Sequence, residues 1–196
     1  NKEINVTRLE ADLLELGHDE IKSLLPPIDI LINNYGTPRR SSWESTESWI
    51  EEWEHNVLMG VKLSQVVIGG MSDRGWGRIL FMGTIGIENP GTHSPGYYGS
   101  KAALVPIVKS LARELNQTGI TVNLINPGMI ATAEVKEMLK KNAKKKGIAD
   151  DWFDIESWAT TEFMPNLTGR LSTPESIGDI VAFLVSDLAF QINGAI

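Results

Sequence analysis

Apolar and polar residues alternate along this chain with two different periods. Ile4-Asn5-Val6-Thr7-Arg8-Leu9-Glu10-Ala11 alternates at period two and predicts a strand over Ile4–Ala11. A polar helical stretch runs from Gly17 to Leu25 and is stopped by Pro26-Pro27. Ile28-Asp29-Ile30-Leu31-Ile32 is nearly continuous in apolar residues, the pattern of a strand buried on both faces, and Asn33-Asn34-Tyr35-Gly36 closes it in a turn. Trp43–Met71 reads as one long helix, with Trp49, Trp53, Val57, Val61 and Ser64 on one stripe. Arg78–Met82 is the next buried strand, and Gly83–Gly96 a loop punctuated by Gly and Pro. Tyr97–Thr118 is a second long helix with Gly119 placed to cap it; Ile120–Ile125 is a strand closed by Asn126-Pro127-Gly128. Beyond Met129 come a Lys-rich helix over Thr132–Lys146 and an aromatic stretch, Asp150–Leu167, that reads as a mobile flap. A last helix over Pro174–Leu184 has Ser172 or Thr173 as its cap.

Strand, helix, strand, helix, strand at this spacing describes parallel β-α-β units, hence an α/β doubly wound parallel sheet. Crossovers of that kind are right-handed, and ligands bind beyond the carboxyl ends of the strands. The turns 33–36, 83–86 and 126–128 all fall at those ends, which marks them as the site before any chemistry is considered.

Composition narrows the function. The chain has 196 residues, the length of one domain, and 42% apolar content, ordinary for a folded core. A net charge of −7 with no basic stripe disfavours nucleic acid, since phosphates need clustered Lys and Arg. Cysteine is absent, and His18, His55 and His93 lack ligand spacing, so no metal site is expected. The best apolar run, Val57–Met71, is broken by Lys62, Gln65 and Gly69-Gly70, so no membrane span is expected and the cytoplasm is the default setting.

Candidate chemistry starts at Tyr97-Tyr98-Gly99-Ser100-Lys101. Tyr97 and Lys101 are four apart and share a helical face, where an ammonium would lower the phenol pKa towards a useful acid-base range. Such a pair alone is the ordinary composition of a solvated helix. Thr84, after a buried strand and thirteen residues before Tyr97, changes the weight of it. Asn33-Asn34-Tyr35-Gly36, Asn56, Thr84, Tyr97 with Lys101, and Pro127-Gly128, in this order and spacing, resemble the short-chain dehydrogenase/reductase family over essentially the whole chain.

That resemblance implies a Rossmann-like domain over 1–196 with a substrate flap at about 129–170. It implies NAD or NADP as cofactor and hydride transfer between nicotinamide and a ketone or secondary alcohol, 3-oxoacyl reductase-like. Tyr97 would exchange a proton with the substrate oxygen, Thr84 would hydrogen-bond the same oxygen, Lys101 would hold the nicotinamide ribose, and Asn56 would anchor a proton relay. On the cofactor side it assigns Asp12 to the adenine edge, Asn33 and Gly36 to the adenosine, Pro127, Gly128 and Ile130 to the nicotinamide, and Thr132 to its carboxamide or the pyrophosphate. Ile85 and His93 join Thr84 and Tyr97 as substrate-lining candidates. A homodimer or homotetramer through the two long helices is implied, and Lys140, Lys141, Lys144, Lys145 and Lys146 would suit an acyl-carrier or coenzyme A phosphate, or be a solvated face. Read without the pattern, Asn33 and Asn34 are turn formers, Pro127-Gly128 a chain reversal, Asn56 the partner of a kinked helix and Asp12 a helix cap.

The chain departs from the family in three places. Thr84 stands where Ser is usual, keeping the hydroxyl but stiffening the rotamer. Tyr35 stands where a small residue is usual and would crowd the adenosine or pack outward. The family's first two strands and glycine-rich pyrophosphate turn are not found in these 196 residues, so the expectation is part of a longer chain. The competing reading is a catalytically silent relative that binds a nucleotide as a sensor or scaffold.

Overall fold

The computed structural model describes residues 5–36 and 38–196. Its frame is a sheet of three parallel strands, β1 (Ile30–Asn33), β2 (Gly77–Met82) and β3 (Ile120–Ile125), hydrogen-bonded in sequence order. Ile30 lies opposite Arg78, and Gly77 opposite Ile120, so the carboxyl ends of all three strands reach one edge. The last residues extend the sheet beside β3: Gly194 N donates to Val122 O (2.8 Å) and Leu124 N to Ala195 O (3.0 Å). This is the Rossmann-like parallel α/β arrangement that the alternating pattern predicted.

Helices α1 (His18–Leu24), α2 (Glu47–Trp53), α3 (Met59–Arg74) and α4 (Pro95–Glu114) precede or connect the strands. Alternate residues of the strands (Ile79, Phe81, Val122 and Leu124) point to one face and bury against Ile21 of α1, Val67 and Met71 of α3, and Leu104 and Val108 of α4. Each fully buried aliphatic side chain in such a cluster contributes roughly 1.5–3 kcal/mol. On the opposite face, Arg78 stacks over Trp76 at 4.3 Å and pairs with Asp187 (3.3 Å), while Asn123 bonds the Ile192 carbonyl (2.9 Å). These contacts fasten the segment after α7 (Pro174–Leu184) to the sheet. Among the described residues no helix is long and apolar enough to cross a membrane.

Three expectations are corrected. Residues 5–11 form no strand and are exposed; Ile4 lies outside the described residues. A strand needs a neighbour, and among the described residues the sheet's nearest edge strand, β1, pairs with β2 alone. The helix expected over Trp43–Met71 starts at Glu47 and runs to Arg74, ended by Gly75 in the left-handed conformation (φ 66°), and it is widened by one π-turn at Glu54–Leu58. The second long helix begins at Pro95 and ends at Glu114, so Gly119 belongs to the turn before β3, not to a helix cap. The stretch after Met129, expected to hold a Lys-rich helix and then a flap, is a helical lobe. Its helices α5 (Ala133–Lys145) and α6 (Trp152–Trp158) close on a separate cluster of Leu139, Ala143, Ile155, Trp158 and Leu171. Helix α7 spans the expected residues, with Thr173 as the cap: its hydroxyl accepts from Ser176 N (3.1 Å).

Candidate active site

The site is built where β2 and β3 run out. Three successive amides carry the ladder past the strand ends: Gly83 N to Ile125 O (2.7 Å), Thr84 N to Asn126 Oδ1 (3.0 Å) and Ile85 N to Pro127 O (2.9 Å). The Asn126 side chain thus replaces a backbone carbonyl and locks the turn that carries Thr84. Thr84 itself is extended, and its hydroxyl accepts from Gly86 N (3.1 Å), which leaves its O–H free to donate.

Helix α4 brings the second group. Pro95 opens it, where a missing N–H costs nothing, and the Gly96 amide donates to the Ser41 hydroxyl from a distant loop (2.8 Å). Tyr97 follows in the first turn, half-buried, its ring edge-on to Tyr98 at 5.4 Å. Burial raises its pKa above the ordinary tyrosine value, opposed by a hydrogen bond with the Thr84 hydroxyl, while Tyr98 and the Glu52 charge push further upward. The expectation that Lys101 acidifies this phenol is therefore corrected. Lys101 is only 3% exposed, and its Nζ donates to Met82 O (2.7 Å) and Tyr35 O (3.4 Å). Desolvation lowers its own pKa to about 8, with the Glu52 charge acting the other way.

The third group comes from the π-turn. The Asn56 Nδ2 donates to the Glu52 main-chain carbonyl (2.9 Å), a bond that belongs to the helix ladder, and this side-chain insertion accounts for the widened turn. Nδ2 also donates to Glu52 Oε2, while Asn56 Oδ1 is buried with no hydrogen-bond partner among the described residues. Gly36 lies over that oxygen. A Cβ there would fall 2.2 Å from Asn56 Oδ1 and 3.0 Å from Lys101 Nζ, at a φ of 129°. Gly36→Ala is accordingly expected to destabilise the fold by about 1–3 kcal/mol. Gly128→Ala, where a Cβ meets nothing, should stay within about 0.5 kcal/mol. Denaturant melts of both variants make the comparison, and equal stabilities would refute this account of Gly36.

Asn33, Tyr35, His55, Asn56 and Lys101 share the lining of one cavity of about 150 Å³. Both polar atoms of the Asn33 amide are buried there without partners among the described residues. Tyr35 packs outward, stacked on His55 at 5.7 Å and 25°, so its ring does not fill the cavity. The remaining candidates lie apart from this cluster. Asp12 accepts from Leu14 N (3.0 Å) in an exposed turn before α1. Ile130 is bridged to Ser172, and Thr132 caps α5 through Val135 N (3.3 Å). Ile85 is 43% exposed beside Thr84; Gly128 and His93 are exposed, and the His93 carbonyl accepts from Ser41 N (3.3 Å).

Sequence reasoning missed Glu52, Asn126 and Ser41. Glu52 is 1% exposed, although it sits in the run Glu51-Glu52-Trp53-Glu54, which reads as solvated. Its spacing was the available signal: Trp49, Glu52, Asn56 and Gly60 fall on one inward stripe at steps of three and four.

Comparison with known proteins follows the same lines. The profile of the family described as short chain dehydrogenase matches residues 5–143. The 3-oxoacyl-[acyl-carrier-protein] reductase of Haemophilus influenzae is 34% identical over 195 residues, covering 97% of this chain and 72% of that protein. The acetoacetyl-CoA reductase of Cupriavidus necator is 29% identical over 194 residues, covering 94% and 72%. Among solved structures, L-sorbose reductase from Gluconobacter frateurii, complexed with NADPH and L-sorbose, superposes with a TM-score of 0.77 at 31% identity, over 91% of this chain and 67% of that one. An actinorhodin polyketide ketoreductase variant with NADPH gives 0.75 at 26% identity, over 94% and 72%.

Proposed function

The chain belongs to the short-chain dehydrogenase family and is an NAD(P)-dependent oxidoreductase, and from that premise we propose that it reduces a ketone to a secondary alcohol with Tyr97 as proton donor. The observation that carries this reading is the convergence of Thr84, Tyr97, Lys101 and Asn56 at the carboxyl edge of a parallel sheet. A scaffold has no use for these four groups in register, and nothing in the site favours the silent alternative.

The donor set fits a nicotinamide dinucleotide. Gly36 leaves room that a Cβ would fill, and the Asn33 amide and Asn56 Oδ1 are buried polar atoms in want of partners. Lys101, Asn33, Gly36 and the 127–132 segment (Pro127, Gly128, Ile130, Thr132) would hold it, with Asp12 at the adenine end. When bound, the nicotinamide supplies the hydride. The chain's own residues do the rest. Tyr97, its pKa raised, keeps its proton at neutral pH and holds it for the substrate oxygen. Thr84 O–H donates to that oxygen and fixes its position. Lys101 presents its ammonium beneath the site, and Asn56 Oδ1 offers the next acceptor for the relay. Ile85 and His93 border the substrate, with the 129–170 lobe as its cover.

A 3-oxoacyl thioester is the preferred substrate class, on the named activities of the Haemophilus and Cupriavidus relatives. Lys140, Lys141 and Lys144 line a groove of the lobe and suit the phosphate of such a carrier. Assembly as a homodimer or homotetramer through α3 and α4 belongs to the same reading. Purified protein should oxidise NADPH or NADH on addition of acetoacetyl-CoA, and the dinucleotide should raise the melting temperature. Absence of both effects in a folded preparation would defeat the proposal.

A further inference from the structure

We propose that Glu52 is a positioning residue for the proton relay: its buried carboxylate holds the Asn56 amide with Oδ1 turned towards Gly36 and Lys101, and places a counter-charge behind the Lys101 ammonium. The inference rests on the proposed reductase chemistry and adds a fifth residue to it.

Four facts point there. Both Glu52 oxygens are used as acceptors: Oε1 takes the Arg39 amide N–H (2.7 Å) and Oε2 takes Asn56 Nδ2. Two donors facing two oxygens is the pattern of a carboxylate; a carboxamide would set an NH2 against one of them. The amide of Asn56 has two ends, and the one bonded to Glu52 decides the other. With Nδ2 committed to Glu52, Oδ1 must face Gly36 and Lys101, the orientation in which it can accept a proton-carrying donor. Among the described residues the Glu52 carboxylate is in no salt bridge at contact distance, although it is 1% exposed. A buried carboxylate with only neutral donors is expensive, so a nearby cation must share the field.

The groups around it identify that cation. The Glu52 charge acts on Tyr97 and Lys101 of α4, and the other titratable side chains lining the cavity with Asn56 and Lys101 are His55 of the π-turn and Tyr35 of the loop after β1. Arg39 offers only its amide, because its guanidinium turns to Glu51 (3.4 Å). Lys101 is the buried cation of the set, and the Glu52 charge acts on both Lys101 and Tyr97. The charge therefore opposes the desolvation that would strip Lys101 of its proton.

The test compares wild type with Glu52→Gln and Glu52→Asp. The Lys101 titration is followed through its Cε carbon by NMR without dinucleotide, and steady-state kinetics are run across pH. Expected in Glu52→Gln is a fall of the Lys101 midpoint by on the order of one pH unit, tenfold in the proton equilibrium. The Asn56 side-chain amide resonances should move, and kcat should fall about tenfold or more with KM little changed. Glu52→Asp keeps the charge on a shorter arm and should restore the midpoint more fully than the amide resonances. An unchanged Lys101 midpoint in folded Glu52→Gln, or equal loss in both variants, would overturn the proposal. A wild-type protein without reductase activity would instead defeat the functional reading alone, because the titration is read without turnover.

Discussion

Tyr97→Phe is expected to lower kcat/KM for ketone reduction by about 10²–10⁴-fold, the usual contribution of a placed general acid, with KM nearly unchanged. The phenyl ring keeps its edge contact with Tyr98 and its place in the first turn of α4, so the backbone has no reason to move. What goes is the O–H beside the Thr84 hydroxyl, a loss of about 1 kcal/mol of stability at most. The loss should therefore be kinetic and not structural. The Tyr98→Phe control should retain activity, since Tyr98 packs over Gly86. Steady-state kinetics with matched thermal melts make the measurement. A Tyr97→Phe protein within about tenfold of wild-type turnover would remove the phenol from the reaction.

How far this site could be read in the sequence depends on which interactions are local. Tyr97 and Lys101 are related by one helical turn, and Thr84 closes a strand of buried apolar residues; both relations are set by backbone periodicity. The parallel sheet was legible for the same reason. Long-range pairing was not. The alternation over Ile4–Ala11 satisfied every local criterion, yet residues 5–11 remain unpaired, because a strand exists only where another strand meets it. Glu52 failed the opposite way: three acids among four residues look like a wet surface, and only the fold brings the Arg39 amide, thirteen residues back, against one of them. Asn126 looked like a turn former and is one, but its side chain stands in for a strand carbonyl under Thr84, forty-two residues away. The sign of the Tyr97 pKa shift also required the structure, since it depends on where the Lys101 ammonium points and how deeply the phenol is buried.

The direction in which Lys101 titrates leads to the second large effect. Lys101→Met should cut kcat/KM by about 10²-fold or more, because the methionine fills the same buried channel but removes the charge beneath the site. In wild type the ammonium, with its pKa lowered to about 8, gives up its proton as pH rises through that value, whereas Tyr97, shifted upward, still holds its own. Reductase activity should therefore fall on an alkaline limb near pH 8 that belongs to Lys101, and Lys101→Met should lack that limb. Stability moves in the opposite sense. Between about 8 and the free-lysine value of 10.5 the unfolded chain binds a proton that the native site has lost, so the native state gains stability with rising pH in that window. The gain is at most about 1.4 kcal/mol per pH unit, and it should vanish in Lys101→Met. Denaturant melts at a series of pH values, set beside the pH–rate profile, read both signs at once. An alkaline limb that persists unchanged in Lys101→Met would assign it to another group and break the link between this buried ammonium and the chemistry above it.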